Sequence, residues 1–119
     1  MKRIAISVIV TLLATAGVLY AVQVVRIAPL TYSIANNTTT VTTTATALPA
    51  TALAGRENIT ISLASTTDTV YIGGSTVTVA NGTPLDSSRP AISLDVDDSV
   101  VMYGIVSAGT ADVRTLEVK

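Results

Sequence analysis

Cysteine, histidine, tryptophan and phenylalanine are all missing from this sequence of 119 residues. Without cysteine or histidine, the chain has no thiol nucleophile, no imidazole base and few of the ligands that zinc sites use. Serine and threonine are abundant, but no histidine or suitably placed lysine activates them as nucleophiles. The composition therefore argues against an enzyme, and it predicts no cofactor, no bound metal and no small-molecule substrate.

Charge is also scarce. Seven basic residues stand against eight acidic ones, which gives a net charge of −1. The acidic residues begin only at Glu57, and no basic cluster follows the N-terminus. A nucleic-acid-binding surface needs such a cluster, so we predict no nucleic-acid partner.

One long apolar run is present near the N-terminus. The stretch "IAISVIVTLLATAGVLYAVQVV", residues 4–25, contains no charged residue. As a helix it would extend for about 33 Å, which is enough to cross the hydrocarbon core of a bilayer. We predict a single transmembrane helix. Its anchoring side chains are Ile4, Val8, Leu12, Leu13, Val18, Leu19, Val22 and Val25.

The flanking charges predict the orientation of this helix. Lys2 and Arg3 precede the run and only Arg26 follows it closely, so the positive-inside rule favours an N-terminus in the cytoplasm. A cleaved secretory signal is the alternative, because the small residues of Ala14–Ala16 resemble a cleavage site. The apolar run continues past that site to Val25, which favours the anchor.

The rest of the chain divides into two predicted segments after an anchor at residues 1–28. Residues 29–54 form a linker rich in threonine and alanine, partly extended, with strands at Tyr32–Ile34 and Val41–Ala47 and a turn at Asn36–Asn37. A stalk carrying O-linked glycans is the alternative for this composition. Residues 55–119 form the main domain.

Strand patterns dominate from residue 58 onward. Ile59, Ile61 and Leu63 alternate with polar residues, which is typical of a half-buried strand. Val100–Val106 is apolar on both faces, as expected for a central strand or for one covered by a partner. About seven short strands separated by turns predict an all-β fold, a small antiparallel sandwich or barrel, after the transmembrane helix.

The stretch "TVYIGGSTVTVANGTPL" predicts a compact hairpin unit. We expect a strand at Thr69–Ile72, a reversal with positive φ at Gly73–Gly74, and a returning strand at Thr76–Ala80. Beyond Asn81–Gly82, Pro84 is expected to take the chain out of the ladder.

Asp95, Asp97 and Asp98 form the densest acidic group in the sequence. Their carboxylates are of the type that Ca²⁺ binds, but the spacing lacks the glycine and the distal glutamate of an EF-hand loop. A solvated strand face that discourages edge-to-edge aggregation is the favoured interpretation.

Three stretches carry a resemblance to a known class of protein. "LPATALAGRENITISL", "TVYIGGSTVTVANGTPL" and "VMYGIVSAGTADVRTLEV" resemble the small all-β structural modules of bacteriophage virion proteins, of the decoration, fibre or minor capsid type. The resemblance covers residues 48–118 and implies a protein that packs against neighbouring proteins without catalysis. Modules of this type stand without a membrane helix in tailed phages, so a particle with an internal lipid membrane would account for the fused helix.

Together these observations predict a membrane-anchored structural protein of a virion, with capsid proteins, the lipid membrane and further copies of itself as partners. We expect the packing contacts at Tyr71, Val101, Tyr103 and Ile105. The alternative is a cellular envelope protein with an extracytoplasmic β domain, an adhesin or ligand-binding module. A pilin-like subunit is disfavoured, because the N-terminus lacks both a glycine before the apolar run and an early glutamate within it.

Overall fold

The computed structural model describes residues 32–119, which form eight β-strands and, within that range, no helix. The strands are β1 (Ile34–Val41), β2 (Thr46–Leu48), β3 (Asn58–Leu63), β4 (Val70–Gly73), β5 (Thr83–Leu85), β6 (Ala91–Leu94), β7 (Met102–Ile105) and β8 (Ala111–Val118). Every pairing between these strands is antiparallel. The all-β part of the predicted fold class is confirmed.

The first sheet has the strand order β1-β8-β3-β6. β8 is its longest interior strand and pairs with β1 along its full length, from Ile34 opposite Val118 to Val41 opposite Ala111. β3 pairs along the other side of β8. The alternation predicted for β3 is confirmed, since Ile59 and Ile61 are fully buried.

The second sheet has the strand order β2-β7-β4-β5. β7 pairs with β2 on one side and with β4 on the other. This confirms that Val100–Val106 contains a central strand, although the strand itself is limited to Met102–Ile105.

Apolar side chains from both sheets form one core, so the fold is a sandwich. All of these side chains are fully or almost fully buried. The first sheet contributes Val41, Ile59, Ile61, Ala111 and Val113. The second sheet contributes Leu48, Val70, Ile72 and Leu85, together with Val106, which directly follows β7. Burial of β-branched and leucine side chains between two sheets is the main stabilising contribution expected for such a domain.

The threonine-rich segment contributes directly to this sandwich. The compact unit covers Tyr32–Lys119, so residues 32–54 supply β1 and β2, ahead of the expected domain start at residue 55. The predicted turn at Asn36–Asn37 is wrong, because β1 runs straight through both residues in register with β8. The interruption comes later, at residues 42–45.

The predicted hairpin unit is partly wrong. Residues 74–82 form a loop, so the expected strand at Thr76–Ala80 is absent from the described structure. The strand that pairs with β4 is β5, and Pro84 lies within it, opposite Tyr71. Pro84 is tolerated because β5 is an edge strand, where a missing backbone donor breaks no ladder bond.

The glycines around this loop have a different role from the one expected. Within residues 32–119, positive φ occurs only at Gly55 and Gly109, not at Gly73 or Gly74. A Cβ at Gly73 would lie 2.9 Å from Cγ2 of Val77. Glycine is therefore needed here for close approach, which lets the loop bury Val77 against β4.

One buried hydroxyl in the first sheet lacks a partner. Thr115 of β8 is 2% exposed, and its Oγ1 has no hydrogen-bond partner within residues 32–119. A buried polar atom without a partner costs free energy that a methyl group of the same size does not.

Thr115→Val is accordingly expected to raise the free energy of unfolding by about 1 kcal/mol. Urea unfolding of the full-length chain in mild detergent, followed by circular dichroism, measures this change. Thr40→Val is the matched control, because the Thr40 hydroxyl donates a 2.7 Å hydrogen bond to Asp112. A stabilisation equal in both variants would contradict the assignment to the unpaired hydroxyl.

Candidate functional site

The acidic group in the sequence is not assembled into a site. Asp95 accepts a hydrogen bond from Asn58 at 2.7 Å, and Asp98 accepts one from the backbone of Gly55 at 2.7 Å. Asp97 accepts hydrogen bonds from the hydroxyl and the backbone N–H of Ser99, which lower the pKa of Asp97 below its ordinary value. Each carboxylate has its own local partner, and residues 32–119 contain no cluster of three or more candidate metal ligands.

The residues predicted for packing lie on the outer face of the second sheet. Val70 and Ile72 point into the core, so Tyr71 between them points outward. By the same alternation Tyr103 and Ile105 of β7 point outward, since Val106 and Gly104 are buried. All four predicted interface residues thus share one surface, because Val101 continues this phase and is 44% exposed.

Strand register places these side chains next to one another. Tyr71 lies opposite Ile105 on β7 and opposite Pro84 on β5. Tyr103 lies opposite Ala47 on β2. We call this surface the tyrosine face, and it consists of Ala47, Tyr71, Pro84, Val101, Tyr103 and Ile105.

The tyrosine face is also uncharged. The four strands of the second sheet, with the sequences TAL, VYIG, TPL and MYGI, contain no Asp, Glu, Lys or Arg. In the first sheet, by contrast, Asp112 and Arg114 point outward from β8. Aromatic enrichment and depletion of charge are typical of the buried centre of a protein–protein interface.

A groove lies on the outer face of the first sheet. It has a volume of about 360 Å³ and is lined mainly by hydroxyl and amide side chains, with the guanidinium of Arg114 and the apolar Leu116. Residues of β1 and β3, which lie on either side of β8, form its walls. No aromatic side chain lines it, so it lacks the stacking surface common in ligand pockets.

A buried ion pair supports the end of the sandwich next to the tyrosine face. Nη1 of Arg56 lies 2.6 Å from Oε1 of Glu117, and the two side chains are 1% and 0% exposed. The other Glu117 oxygen accepts a 2.9 Å hydrogen bond from the backbone of Leu53. The pair therefore joins the loop before β3 to the last strand.

Arg56 also holds the segment that leads into β7. Its Nε donates to the carbonyl of Val96 at 3.2 Å, and its Nη2 donates to the carbonyls of Asp97 and Val100 at 2.7 and 2.5 Å. Val100 directly precedes Val101 of the tyrosine face. Arg56 is thus a positioning residue for one border of that surface.

Sequence reasoning did not single out Arg56 or Glu117. A signal was present, because Glu117 follows Val113 and Thr115 in the inward phase of β8. A lone carboxylate in the apolar phase of a strand requires a buried cationic partner. The identity of that partner could not be deduced from spacing, since Arg56 lies 61 residues away.

The predicted anchor and orientation residues, from Lys2 to Arg26, lie outside the described residues. Residues 32–119 contain no helix that is long and apolar enough to cross a membrane. The membrane anchor therefore stays a prediction from the sequence.

Comparison of the chain with protein-family models, with curated proteins and with solved structures gives no match. The resemblance to phage structural modules accordingly remains a prediction.

Proposed function

We propose that this protein is a membrane-anchored structural component of a bacteriophage virion, in which the N-terminal segment holds a lipid membrane and the sandwich docks on a neighbouring shell protein. The tyrosine face is the observation that carries this proposal. It offers two tyrosines, an isoleucine and an exposed valine on one uncharged sheet. Surfaces of this kind favour lasting protein contacts over encounters steered by charge.

The proposed role is non-enzymatic. Six of the described carboxylates accept hydrogen bonds within the domain or form the buried ion pair, namely Asp86, Asp95, Asp97, Asp98, Asp112 and Glu117. The sequence has neither histidine nor cysteine. A scaffold that contributes only shape and apolar contact fits such a composition. Anchor and sandwich in one chain would connect a bilayer to a protein shell.

A second candidate is a cellular envelope protein whose β domain binds a polar ligand. The groove beside Arg114 favours it, because residues with hydroxyl, amide and guanidinium groups line it. This candidate predicts an effect of groove variants on binding and no dependence on the tyrosine face.

Incorporation into particles tests the proposal. Tyr71→Ser/Tyr103→Ser is expected to lower the amount of the protein in purified particles at least tenfold, because the double change removes both aromatic anchors of the interface, residues of a type worth about 2 kcal/mol or more each. Quantitative mass spectrometry of particles, before and after chloroform extraction, measures the amount and its dependence on lipid. Circular dichroism of the purified variant checks that the sandwich is folded.

Leu116→Ser is the matched control, since Leu116 is an exposed apolar residue on the other sheet. It should leave incorporation unchanged. Recovery of the wild-type chain from membranes of uninfected cells, and not from particles, would refute the virion assignment and favour the envelope protein.

A further inference from the structure

We propose that the free edge of β1 is a self-association site at which a second copy of this chain pairs antiparallel, so that two sandwiches share one continuous sheet. The inference concerns the sandwich alone. It does not depend on the virion assignment, and it would hold equally for an envelope protein.

The four sheet edges of the sandwich differ in how they are protected. β2, β5 and β6 have only three or four residues each. Each also contains or borders a proline, namely Pro49, Pro84 and Pro90. Short length and proline are devices that prevent edge strands from pairing with other chains.

β1 has none of these protections. It is eight residues long, with the sequence IANNTTTV, and it contains neither charge nor proline. It pairs with β8 without interruption, so no bulge twists it away. Among residues 32–119, no strand lies along its other side. A long, regular and uncharged edge is a template for strand addition.

The hydrogen-bond phase shows which groups are free. Ser33 and Lys119 exchange both backbone hydrogen bonds, at 3.1 and 3.0 Å. Bonded and non-bonded pairs alternate in an antiparallel ladder, so the odd-numbered residues of β1 bond to β8. The N–H and C=O groups of the even-numbered residues therefore point away from the sheet, and these residues are Ile34, Asn36, Thr38 and Thr40.

The carbonyl of Thr42 supports this phase. Thr42 is the next even-numbered residue after β1, and its carbonyl accepts a 3.0 Å hydrogen bond from the backbone N–H of Val106, which directly follows β7. Its carbonyl thus already points away from β8, as the alternation requires.

These four free positions fit a second copy of the same strand. A two-fold axis through Asn37 places Ile34 opposite Thr40 of the second copy, and Asn36 opposite Thr38 of the second copy. All four positions then form bonded pairs, which gives about eight backbone hydrogen bonds. All four side chains also stay on the outer face, so the two sandwiches align layer with layer.

Exposure at the middle of β1 agrees with this arrangement. Asn37 belongs to the inward phase of the strand, opposite Thr115, yet it is exposed. Asn36 and Thr38 on the outer face are exposed too. Both faces of this short stretch are polar and uncovered, and facing Asn37 amides can satisfy one another across the two-fold axis.

Cysteine cross-linking tests the proposal, because the sequence contains no other thiol. In the proposed register the two Asn37 residues form a non-hydrogen-bonded pair with Cα atoms about 4.5 Å apart, within the range that a disulfide bridges. The full-length chain carrying Asn37→Cys, in mild detergent with a gentle oxidant, is expected to give disulfide dimer at least about tenfold faster than a randomly colliding thiol. Ser87→Cys, on an exposed loop, supplies that collision rate.

Two further variants sharpen the test. Thr39→Cys should cross-link no faster than Ser87→Cys, because residue 39 is displaced by four positions from its copy. Thr38→Pro added to Asn37→Cys should abolish the cross-link, since it removes an N–H that points to the free edge while the bonds to β8 remain. Circular dichroism of that double variant confirms that it is folded.

Cross-linking of Asn37→Cys at the Ser87→Cys rate would overturn self-pairing through β1. Faster cross-linking of Thr39→Cys than of Asn37→Cys would overturn the register centred on Asn37. Neither result bears on incorporation into particles, so failure here and failure of the proposed function are distinguishable.

Discussion

Arg56→Met is expected to destabilise the sandwich by about 3 to 5 kcal/mol, the range for removing one partner of a buried ion pair. Arg56 is 1% exposed, and its carboxylate partner Glu117 is fully buried. Without the guanidinium, the Glu117 carboxylate stays in the apolar interior with a single remaining donor, the backbone of Leu53.

Three backbone carbonyls lose a donor in the same variant, and of these the carbonyl of Asp97 keeps the backbone N–H of Val100 at 3.3 Å. Val96, Asp97 and Val100 all accept hydrogen bonds from the Arg56 guanidinium. A methionine side chain fills part of the volume but supplies no donor. We therefore expect the segment before β7 to loosen even where the rest of the sandwich stays folded.

Urea unfolding of the full-length chain in mild detergent measures the loss. Arg114→Met is the matched control, because Arg114 is an exposed arginine on β8, and surface changes of this kind stay within about 0.5 kcal/mol. Glu117→Leu combined with Arg56→Met should cost less than the sum of the two single changes, since the double variant leaves no unpaired buried charge. Equal costs for Arg56→Met and Arg114→Met would contradict a structural role for the buried pair.

This ion pair also marks the limit of what could be predicted from the sequence. Local alternation predicted β3 correctly, because Ile59 and Ile61 repeat with the period of a half-buried strand. It likewise placed Tyr103 and Ile105 on one side of β7. Partners separated by 61 residues leave no local pattern. Arg56 and Glu117 are brought together by the pairing of β3 with β8, which no local pattern specifies.

The errors around β1 and β5 have a common physical cause. Asn36 and Asn37 favour turns as isolated residues, but the full-length pairing of β1 with β8 outweighs that preference. Val77 lies in a loop although its surroundings alternate like a strand, because it is buried against Gly73. At both places tertiary contacts, and not local propensity, determine whether the residues form a strand.

The tyrosine face could be predicted in part. The apolar pattern of Val100–Val106 indicates a central strand or one covered by a partner. The outward-facing residues of that strand form the middle of this surface. Its neighbours Ala47 and Pro84 come from strands that are distant in sequence. These segments form one surface because of the register between the strands, and no local sequence pattern specifies that register.

Leu13→Arg is expected to weaken membrane insertion by about 2.5 to 3.5 kcal/mol, the cost of an arginine at the centre of a transmembrane helix. That cost corresponds to a loss of roughly a hundredfold in the insertion equilibrium. Leu13 lies in the middle of the uncharged run at residues 4–25. Leu13→Ile is the matched control, because it keeps the position apolar.

The β domain carries its own reporter for this test. Asn37-Thr38-Thr39 and Asn58-Ile59-Thr60 are acceptor triplets for N-linked glycosylation. With the N-terminus in the cytoplasm, synthesis in the presence of microsomes should deliver the domain to the lumen and modify it. The wild-type chain should then be glycosylated and resistant to alkaline extraction, and Leu13→Arg should lose both properties.

The size of the wild-type product separates an anchor from a cleaved signal, since either would be impaired by an arginine in its apolar run. An anchor keeps Met1 and stays with the membrane after alkaline treatment. A cleaved signal leaves a glycosylated product that starts after Ala16 and is released in soluble form. Insertion of both Leu13→Arg and Leu12→Arg/Leu13→Arg at the wild-type level would contradict a transmembrane segment at residues 4–25. The proposed link between a bilayer and a protein shell would then have to be abandoned, because it depends on that segment.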